Sequence, residues 1–248
     1  MKAFALLLAA LTTSLVPAGP QPAPTRTIAI TGVTLIDGTG AAPRPGDTVI
    51  ISGNRISNIV DGAPDLAGVH EVVDGKGKFL IPGLWDMHTR ERYVTASARS
   101  FQKVFTPLPD NPDICRALTA AFDRSLEITR ILHREGVRFL VGADLAAATP
   151  YPGSSVHEEL AWLVKAGLTP MEALVADTRN GAEGVGRLGD LGTIEKGKVA
   201  DLSLLDANPI ADITNTQKIA AVVANGRLFR REELDKLLAQ VAKDAPGR

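Results

Sequence analysis

Cysteine is nearly absent from this 248-residue chain, which contains Cys115 alone. A single thiol excludes an intramolecular disulfide and a zinc site built from several cysteines. The formal net charge is −1, so no basic excess favours a nucleic-acid partner and no acidic run marks a tail. The apolar run at residues 3–11 is shorter than the roughly 18–20 residues that a membrane span needs. We therefore expect no nucleic-acid partner and no stable membrane span.

The composition is that of an ordinary globular protein, with 45% hydrophobic and 22% charged residues. The length fits one domain, or one domain with a small second one. At the N-terminus, Lys2 precedes the apolar run, and Val16-Pro17-Ala18 offers a cleavage site. This pattern predicts a signal peptide at residues 1–18, a leader at 19–26 and export to the periplasm or the outside. The alternative is a membrane anchor, for which the run is short.

Both ends of the mature chain carry short segments typical of β-strands. The first set of predicted strands lies at residues 27–38, 48–51, 55–60, 69–74 and 78–81. The second set comprises two strands within 192–206 and a hairpin of 219–224 and 227–229 that turns at Asn225-Gly226. An amphipathic helix over residues 231–242 follows.

The middle of the chain is predicted to be helical around one strand. Residues 117–135 have helical spacing and end at Gly136, and residues 137–142 are expected to form a buried strand with Asp144 at its carboxyl end. The segments 155–158 and 169–172 each have the pattern of a capping box that opens a helix.

One stretch, residues 81–90, combines a Pro-Gly turn with an apolar segment that ends at His88. Together with other segments in the same order, it resembles the amidohydrolase superfamily, above all its prolidase-like and imidazolonepropionase-like members. The matching segments are residues 32–38, 81–88, 142–144, 157–160, 166–174 and 192–202. The resemblance covers most of residues 27–230.

The resemblance implies a composite β-sandwich, built from both chain ends, beside a (β/α)8 barrel that binds one or two zinc-like divalent metals. It implies that His88 is a metal ligand, and that Asp144 is both a metal ligand and the catalytic proton acceptor. The family hydrolyses amide, cyclic amide or related C–N bonds of small molecules. A dication lowers the pKa of its bound water, and a fixed carboxylate takes up the proton.

Two features depart from the family pattern. The family strand ends in His-x-His, whose imidazoles face the same side, but this chain has Arg90 in the second position. A guanidinium has no lone pair to give a metal. In addition, only about 110 residues run from Ile81 to Gly189, whereas a full barrel takes about 200–250 residues. The segments that would carry the other metal ligands therefore have no counterpart.

The predicted fold is α/β, with an incomplete (β/α) TIM-like barrel remnant and a small composite β-sandwich. Its parts are residues 27–80 with 190–229 for the sandwich, 81–189 for the truncated barrel and 230–248 for the terminal helix. The site is expected to be vestigial, with His88 and Asp144 as its residues. Metal binding is expected to be weak or absent. Open strand edges and apolar faces favour self-association.

For three residues the sequence leaves alternative roles open. His88 could be a buried imidazole held by backbone groups, and His157 could face the site mouth or lie at the surface. Arg90 could pair with Asp86 or with Asp144.

The other histidines, Lys103 and Cys115 are expected to have no catalytic or metal-binding role. His133 lies near a helix carboxyl end, where a cation is favourable, and His70 is expected to be exposed on a sandwich strand. Lys103 lacks the strand context of a carboxylated lysine ligand, and Cys115 has no histidine nearby in sequence.

Three hypotheses for function remain. The first is an exported amidohydrolase-family protein with impaired catalysis, the second a non-catalytic binding or assembly module, and the third a decayed gene product. Metal content discriminates the first from the others, because only an enzyme of this kind needs the ion.

Overall fold

The computed structural model describes residues 26–84, 111–142 and 155–244. In these ranges the chain forms one mixed β-sheet of eight strands, five α-helices and a short 3-10 helix. The strands come from both ends of the chain, and α-helices dominate the sequence between them. The architecture is therefore mixed α/β.

The first five strands precede the helices, and the last three follow them. The strands are β1 Thr27–Leu35, β2 Arg44–Ser52, β3 Arg55–Asp61, β4 Glu71–Asp74, β5 Phe79–Pro82, β6 Leu202–Leu205, β7 Ile219–Ala224 and β8 Arg227–Arg230. These confirm the strands predicted at the N-terminal end and the hairpin at the C-terminal end.

The strand order is β3-β2-β1-β5-β6-β7-β8, and β4 pairs with β1 beside this path. The strand β1 runs antiparallel to β2 and parallel to β4 and β5. The two chain ends meet where β5 runs antiparallel to β6, with Phe79 opposite Leu205 and Pro82 opposite Leu202. Both ends thus form one composite unit as predicted, but a two-layer sandwich is not confirmed, since the strands join in one hydrogen-bonded sheet.

The sheet curls, so that two of its turns lie in contact. The β7–β8 turn has Asn225 at φ 48° and Gly226 at φ 76°, the left-handed pair that a tight hairpin turn requires. The Nδ2 of Asn54, in the β2–β3 turn, donates to Oδ1 of Asn225 at 2.9 Å. A Cβ on Gly226 would lie 2.1 Å from the carbonyl oxygen of Gly53, so only glycine allows this approach.

The buried apolar side chains form two clusters. One lies within the curled sheet and unites strands from both chain ends, with Ile28, Ile51, Leu202 and Val223 among its members. The second lies between the sheet and the helices. It contains Ile36, Ile81, Val156, Leu160, Leu174, Leu205 and Ile213. The alternation of strand side chains therefore supplies both cores: one face fills the sheet interior and the other receives the helices.

The helices are α1 Pro112–Arg134, α2 Ser155–Ala166, α3 Pro170–Asp177, α4 Arg179–Gly184 and α5 Arg231–Asp244, with the 3-10 helix at Ile213–Gln217. The capping box predicted at residues 169–172 is confirmed. The amide of Glu172 donates to Oγ1 of Thr169 at 3.2 Å, and the amide of Thr169 donates to Oε2 of Glu172 at 2.7 Å. The terminal helix is also confirmed. None of the helices in the described ranges has the length and apolarity to cross a membrane.

Two predicted strands are wrong. Residues 137–142 form no strand, and Val137 and Leu140 are 44% and 56% exposed. Their apolar pattern matched a buried strand, but no strand pairs with them in the described ranges. The segment 192–199 consists of turns, with one isolated bridge from Val199 to Arg55, so the region 192–206 yields only β6. Between β5 and β6 the described residues therefore contain helices and no strand of a barrel.

Candidate functional site

A cavity of about 750 Å³ lies where the sheet meets α2. Its wall includes Gly83 and Leu84, which follow β5, the start of β6 and the end of β7. Val156 and His157 of α2 close it on the helical side. Its volume falls in the range of small-molecule sites, about 300–1,000 Å³.

The cavity begins at Gly83 and Leu84, which directly follow β5. The amide of Gly83 donates to the carbonyl oxygen of Asp201 at 2.8 Å, and a Cβ on Gly83 would lie 3.3 Å from the same oxygen. This close approach joins the two chain ends at the cavity wall. The glycine of the Pro-Gly turn thus has a structural reason to be glycine.

His157 is the buried titratable side chain of the cavity wall, 9% exposed. Its Nδ1 lies 2.9 Å from Oγ1 of Thr216, and that hydroxyl donates its proton to the carbonyl oxygen of Ile213 at 2.8 Å. With this proton on the carbonyl, the hydroxyl is an acceptor toward the ring, and we assign Nδ1 of His157 as the donor on this basis. In the neutral imidazole, Nε2 then carries the lone pair. Of the two readings of His157, the surface position is wrong, and the residue lines the cavity.

On another side of the cavity, Thr193 hydrogen-bonds to two charged side chains, Lys198 and Glu195. Thr193 is 5% exposed and lines the wall. The Nζ of Lys198 lies 2.8 Å from Oε2 of Glu195. Hydrogen bonds from Lys198 and Thr193 to this carboxylate hold the pKa of Glu195 below its usual range, against the opposing effect of partial burial. The pair compensates its own charge. The cavity wall is mostly apolar but includes Asp201, whose Oδ1 accepts from the amide of Asn225 at 2.5 Å.

The Asp-Gly turn after β1 has a structural role. Asp37 accepts hydrogen bonds from the amide of Thr39 and from Nη1 of Arg44, both at 2.9 Å. Burial raises the pKa of Asp37, but the bonds from Thr39 and Arg44 outweigh it, and the pKa lies below its usual range. The carbonyl of Asp37 accepts from the amide of Ile194 at 2.8 Å. This hydrogen bond connects the turn after β1 to the segment that precedes β6.

A second cavity, of about 410 Å³, lies between the end of α1 and α3. His133 is in the last turn of α1, as predicted, and its Nε2 lies 3.2 Å from Oε1 of Glu172. Glu172 also belongs to the capping box of α3. The contact therefore joins two helices, which agrees with the structural reading of His133.

The principal residues of the predicted site, His88 and Asp144, lie outside the described residues, as do Arg90, Asp86 and Lys103. Within residues 26–84, 111–142 and 155–244, no three His, Cys, Asp or Glu side chains converge as a metal would require. The described residues therefore do not form a metal site by themselves.

Two other candidates lie away from the cavity. His70 is exposed just before β4, and its Nδ1 accepts from the amide of Thr27 at 3.1 Å. Cys115 is exposed on α1. Sequence reasoning missed Thr216, which is fully buried and orients His157. Its only local signal is the Asp212 cap that opens the 3-10 helix, and that signal does not indicate contact with α2.

Comparison with known proteins gives consistent matches. The family model described as "Amidohydrolase family" matches residues 111–229. Imidazolonepropionase of Shouchella clausii (strain KSM-K16) is 46% identical over 61 residues, which are 23% of this chain and 14% of that protein. Imidazolonepropionase of Alkaliphilus metalliredigens (strain QYMF) is 34% identical over 96 residues, 35% of this chain and 23% of that protein. The chain thus spans less than a quarter of the length of these relatives.

A solved structure shares the fold. The crystal structure of a Xaa-Pro dipeptidase with bound methionine in the active site superposes with a TM-score of 0.63 at 15% identity, covering 82% of this chain and 100% of that chain. At this identity the likeness concerns the fold alone.

Proposed function

Because the chain belongs to the amidohydrolase superfamily, we propose that it derives from an enzyme that hydrolyses C–N bonds of small amides or cyclic amides with a divalent metal. We propose further that the chain keeps the cavity of that enzyme while its own catalysis is impaired. The imidazolonepropionase matches favour a cyclic amide as the ancestral substrate class.

The position of the 750 Å³ cavity is the observation that carries this proposal. The cavity opens at Gly83 and Leu84, only a few residues before His88 in sequence, and the buried His157 lines its opposite wall. The hydrogen bond between Nδ1 and Thr216 orients the ring of His157, as is common for imidazoles that serve as ligands or bases. A mostly apolar cavity that also contains the imidazole of His157 and the carboxylate of Asp201 suits a small polar substrate without negative charge.

Two observations support the proposed loss of activity: the sequence at Arg90 and the helices between β5 and β6. Arg90 stands where the family has a second histidine. The described residues between β5 and β6 form helices without barrel strands. This arrangement supports a barrel remnant from which the strands with the remaining ligands have been lost.

The described residues do not themselves fit a metal, so we derive no catalytic step through one. In the proposed vestigial site, His88 would be a ligand and Asp144 the proton acceptor, while His157 would orient a polar group of a bound molecule. A catalytic zinc site commonly needs three protein ligands and a water. The cationic Arg90 would oppose a dication close to His88 by several kcal/mol at about 4–5 Å, for an effective dielectric near 20.

Metal analysis combined with activity assays tests the proposal. The purified full-length chain should retain zinc-like metal far below one equivalent and hydrolyse neither dipeptides nor cyclic amides. The variant Arg90→His should not restore turnover, because the other ligands are still missing. One tightly bound metal per chain, with turnover abolished in Asp144→Asn, would show instead that the chain is a working enzyme.

Matched histidine variants locate any residual metal. If the vestigial site lies at the cavity, weak zinc binding should fall in His88→Ala and His157→Ala and stay unchanged in His70→Ala. His70 is the suitable control because it is exposed and remote in the sheet. Equal loss in all three variants would indicate non-specific binding and contradict the site.

A non-catalytic binding module is the second candidate, and the intact apolar cavity favours it. Such a module would bind small amides without turning them over. Calorimetry with a cyclic amide would then show binding that weakens when Leu84→Arg fills the cavity mouth. A decayed product would instead lack cooperative unfolding.

Export by residues 1–18 is part of the proposal. Expression of the full-length chain in a secreting bacterial host should give a mature protein whose N-terminus lies close to Gly19. An intact Met1 on the cellular protein would contradict export with cleavage.

A further inference from the structure

Asp201 provides the formal charge in the described wall of the 750 Å³ cavity. It directly precedes β6 and is partly buried. Among the described lining residues His157 is the other titratable group, and none is a lysine, an arginine or a glutamate. The sign of the charge at this cavity therefore depends on one carboxylate.

No cation forms an ion pair with Asp201 within the described residues. Its Oδ1 accepts from the amide of Asn225 at 2.5 Å, and a backbone amide carries no net charge. Lys198 is paired instead with Glu195 at 2.8 Å, and the guanidinium of Arg227 lies over an aromatic ring, 4.5 Å from its centroid. A negative charge therefore remains at the cavity wall.

Ser203 adds a second polar group on the same side of the chain. Residues two apart in a strand face the same way, so Asp201 and Ser203 share the cavity side, while Leu202 and Leu204 belong to the core within the curled sheet. Ser203 is 8% exposed and lines the cavity. Its hydroxyl forms no hydrogen bond to the described part of the chain. This hydroxyl is therefore available to a molecule bound in the cavity.

Apolar side chains form much of the remaining wall. They include Leu84, Val156, Leu191, Ile219 and Val222. A molecule that fits here therefore needs an apolar body, since burial of apolar surface is the main favourable contribution that such a wall can make to binding.

Charge complementarity selects a cation for the polar end. An anion would be repelled by Asp201, and a neutral molecule would remove water from the carboxylate without compensating its charge, which is unfavourable. A cation instead gives a charge-assisted hydrogen bond. An ammonium group fits better than a guanidinium, because the guanidinium fork binds both oxygens of a carboxylate and Oδ1 of Asp201 already accepts from Asn225. The three N–H donors of an ammonium group can serve both Asp201 and Ser203.

We propose that the 750 Å³ cavity binds a small protonated amine, with its ammonium group on Asp201 and Ser203 and its apolar body against the apolar wall. This inference rests on the proposed function only in that the cavity is a small-molecule site. It adds that the bound molecule is a cation, so an amide or cyclic amide bound here also carries an ammonium group.

Calorimetry of the full-length chain with three probes of one shape tests the charge preference. The probes are cyclohexylammonium, cyclohexanol and cyclohexanecarboxylate. Cyclohexylammonium should bind at least about tenfold more tightly than the alcohol, which corresponds to one hydrogen bond between charged groups. The carboxylate should bind most weakly. This comparison uses the native chain and does not depend on the folding of a variant.

Variants of the two polar residues test the contact itself. Asp201→Asn keeps an oxygen for the amide of Asn225 but removes the charge, so cyclohexylammonium should bind at least about tenfold more weakly and cyclohexanol as before. Ser203→Ala should weaken cyclohexylammonium binding by less, about two- to tenfold. The matched control is Asp74→Asn. Asp74 also accepts from a backbone amide, at 3.0 Å from Lys76, but it is exposed on β4 away from this cavity.

The control should bind all three probes like the native chain, and urea unfolding checks that each variant is folded. Equal affinity of the native chain for the ammonium and the alcohol would overturn the inference. Unchanged ammonium binding in folded Asp201→Asn would do the same. Tighter binding of calcium chloride than of cyclohexylammonium, lost in Asp201→Asn, would show a site for an inorganic cation instead.

These results are separate from those that test the proposed function. Metal content and turnover decide whether the chain is an impaired enzyme, whereas the three probes report only on the charge preference of the cavity. A chain with one metal and turnover can still prefer the ammonium probe, and a chain without either can fail to do so.

Discussion

The Nδ1 of His157 and Oγ1 of Thr216 lie 2.9 Å apart and form a hydrogen bond, and the two residues are 59 positions apart in sequence. Both side chains are buried. The bond joins the start of α2 to the 3-10 helix, and the hydroxyl of Thr216 also donates a hydrogen bond to the carbonyl oxygen of Ile213. The geometry of the cavity wall therefore depends on a hydroxyl that no local sequence pattern marks.

Replacing this hydroxyl should destabilise the fold. In Thr216→Val the shape of the side chain is kept, but the buried N–H of His157 loses its acceptor, which should lower the free energy of unfolding by about 1–3 kcal/mol. Urea-induced unfolding measures the loss. Thr216→Ser keeps the hydroxyl and should retain most of the stability. Equal stability of the native chain and Thr216→Val would mean that this hydrogen bond is dispensable.

The capping box of α3 should make stability fall in acid. The pKa of Glu172 lies below its ordinary value of 4.5, first because its carboxylate accepts from the backbone amide of Thr169, with added contributions from the Thr169 hydroxyl and His133 that exceed the effect of burial. A carboxyl whose pKa is lower in the folded state stabilises the protein above its unfolded pKa. That contribution is lost as the pH falls through the folded value.

The matched variant is Glu172→Gln, which keeps a hydrogen-bonding side chain without the titration. Between about pH 6 and about pH 3, the native chain should lose more unfolding free energy than this variant. Other carboxylates with lowered pKa values titrate in both proteins and cancel in the comparison; among the described residues these are Asp37, Asp190, Glu195 and Asp212. Parallel stability profiles would contradict the role of Glu172.

Gly226 should be intolerant of a side chain. Its φ is +76°, and a Cβ there would lie 2.1 Å from the carbonyl oxygen of Gly53 and 2.5 Å from Cα of Asn54, both backbone atoms. Gly226→Ala should therefore cost more than the roughly 1–2 kcal/mol of a left-handed alanine alone. Gly68→Ala is the control, because Gly68 has φ +79° and no atom within 4 Å of the added Cβ.

Comparison of the two urea midpoints measures the difference. A larger loss in Gly226→Ala would report the contact between the β2–β3 and β7–β8 turns. Equal losses would show that the two turns do not touch in solution.

Much of the local structure follows from short patterns. The Asn225-Gly226 turn is predictable because few residues accept a positive φ at neighbouring positions. The capping box at Thr169 is predictable because its bonds close within four residues. The β-strands at both ends follow from β-branched residues between turn signals. In each case the physical cause lies within a few residues of its effect.

Short sequence patterns do not predict which strands pair when the strands are far apart in sequence. Residues 137–142 have the apolar pattern of a strand, yet a strand needs a hydrogen-bonded neighbour, and none pairs with them in the described structure. Likewise, β-rich ends indicate one composite unit, but the choice between a sandwich and a single curled sheet depends on whether β5 pairs with β6.

The sequence alone indicates the family resemblance, the strand-forming ends, the turns and the helix caps. The folded chain adds the cavity, and the burial of His157 with its hydrogen bond to Thr216. These additional features arise from side chains far apart in sequence that meet only once both chain ends share a sheet. The residues that form them therefore give no signal in their own neighbourhoods.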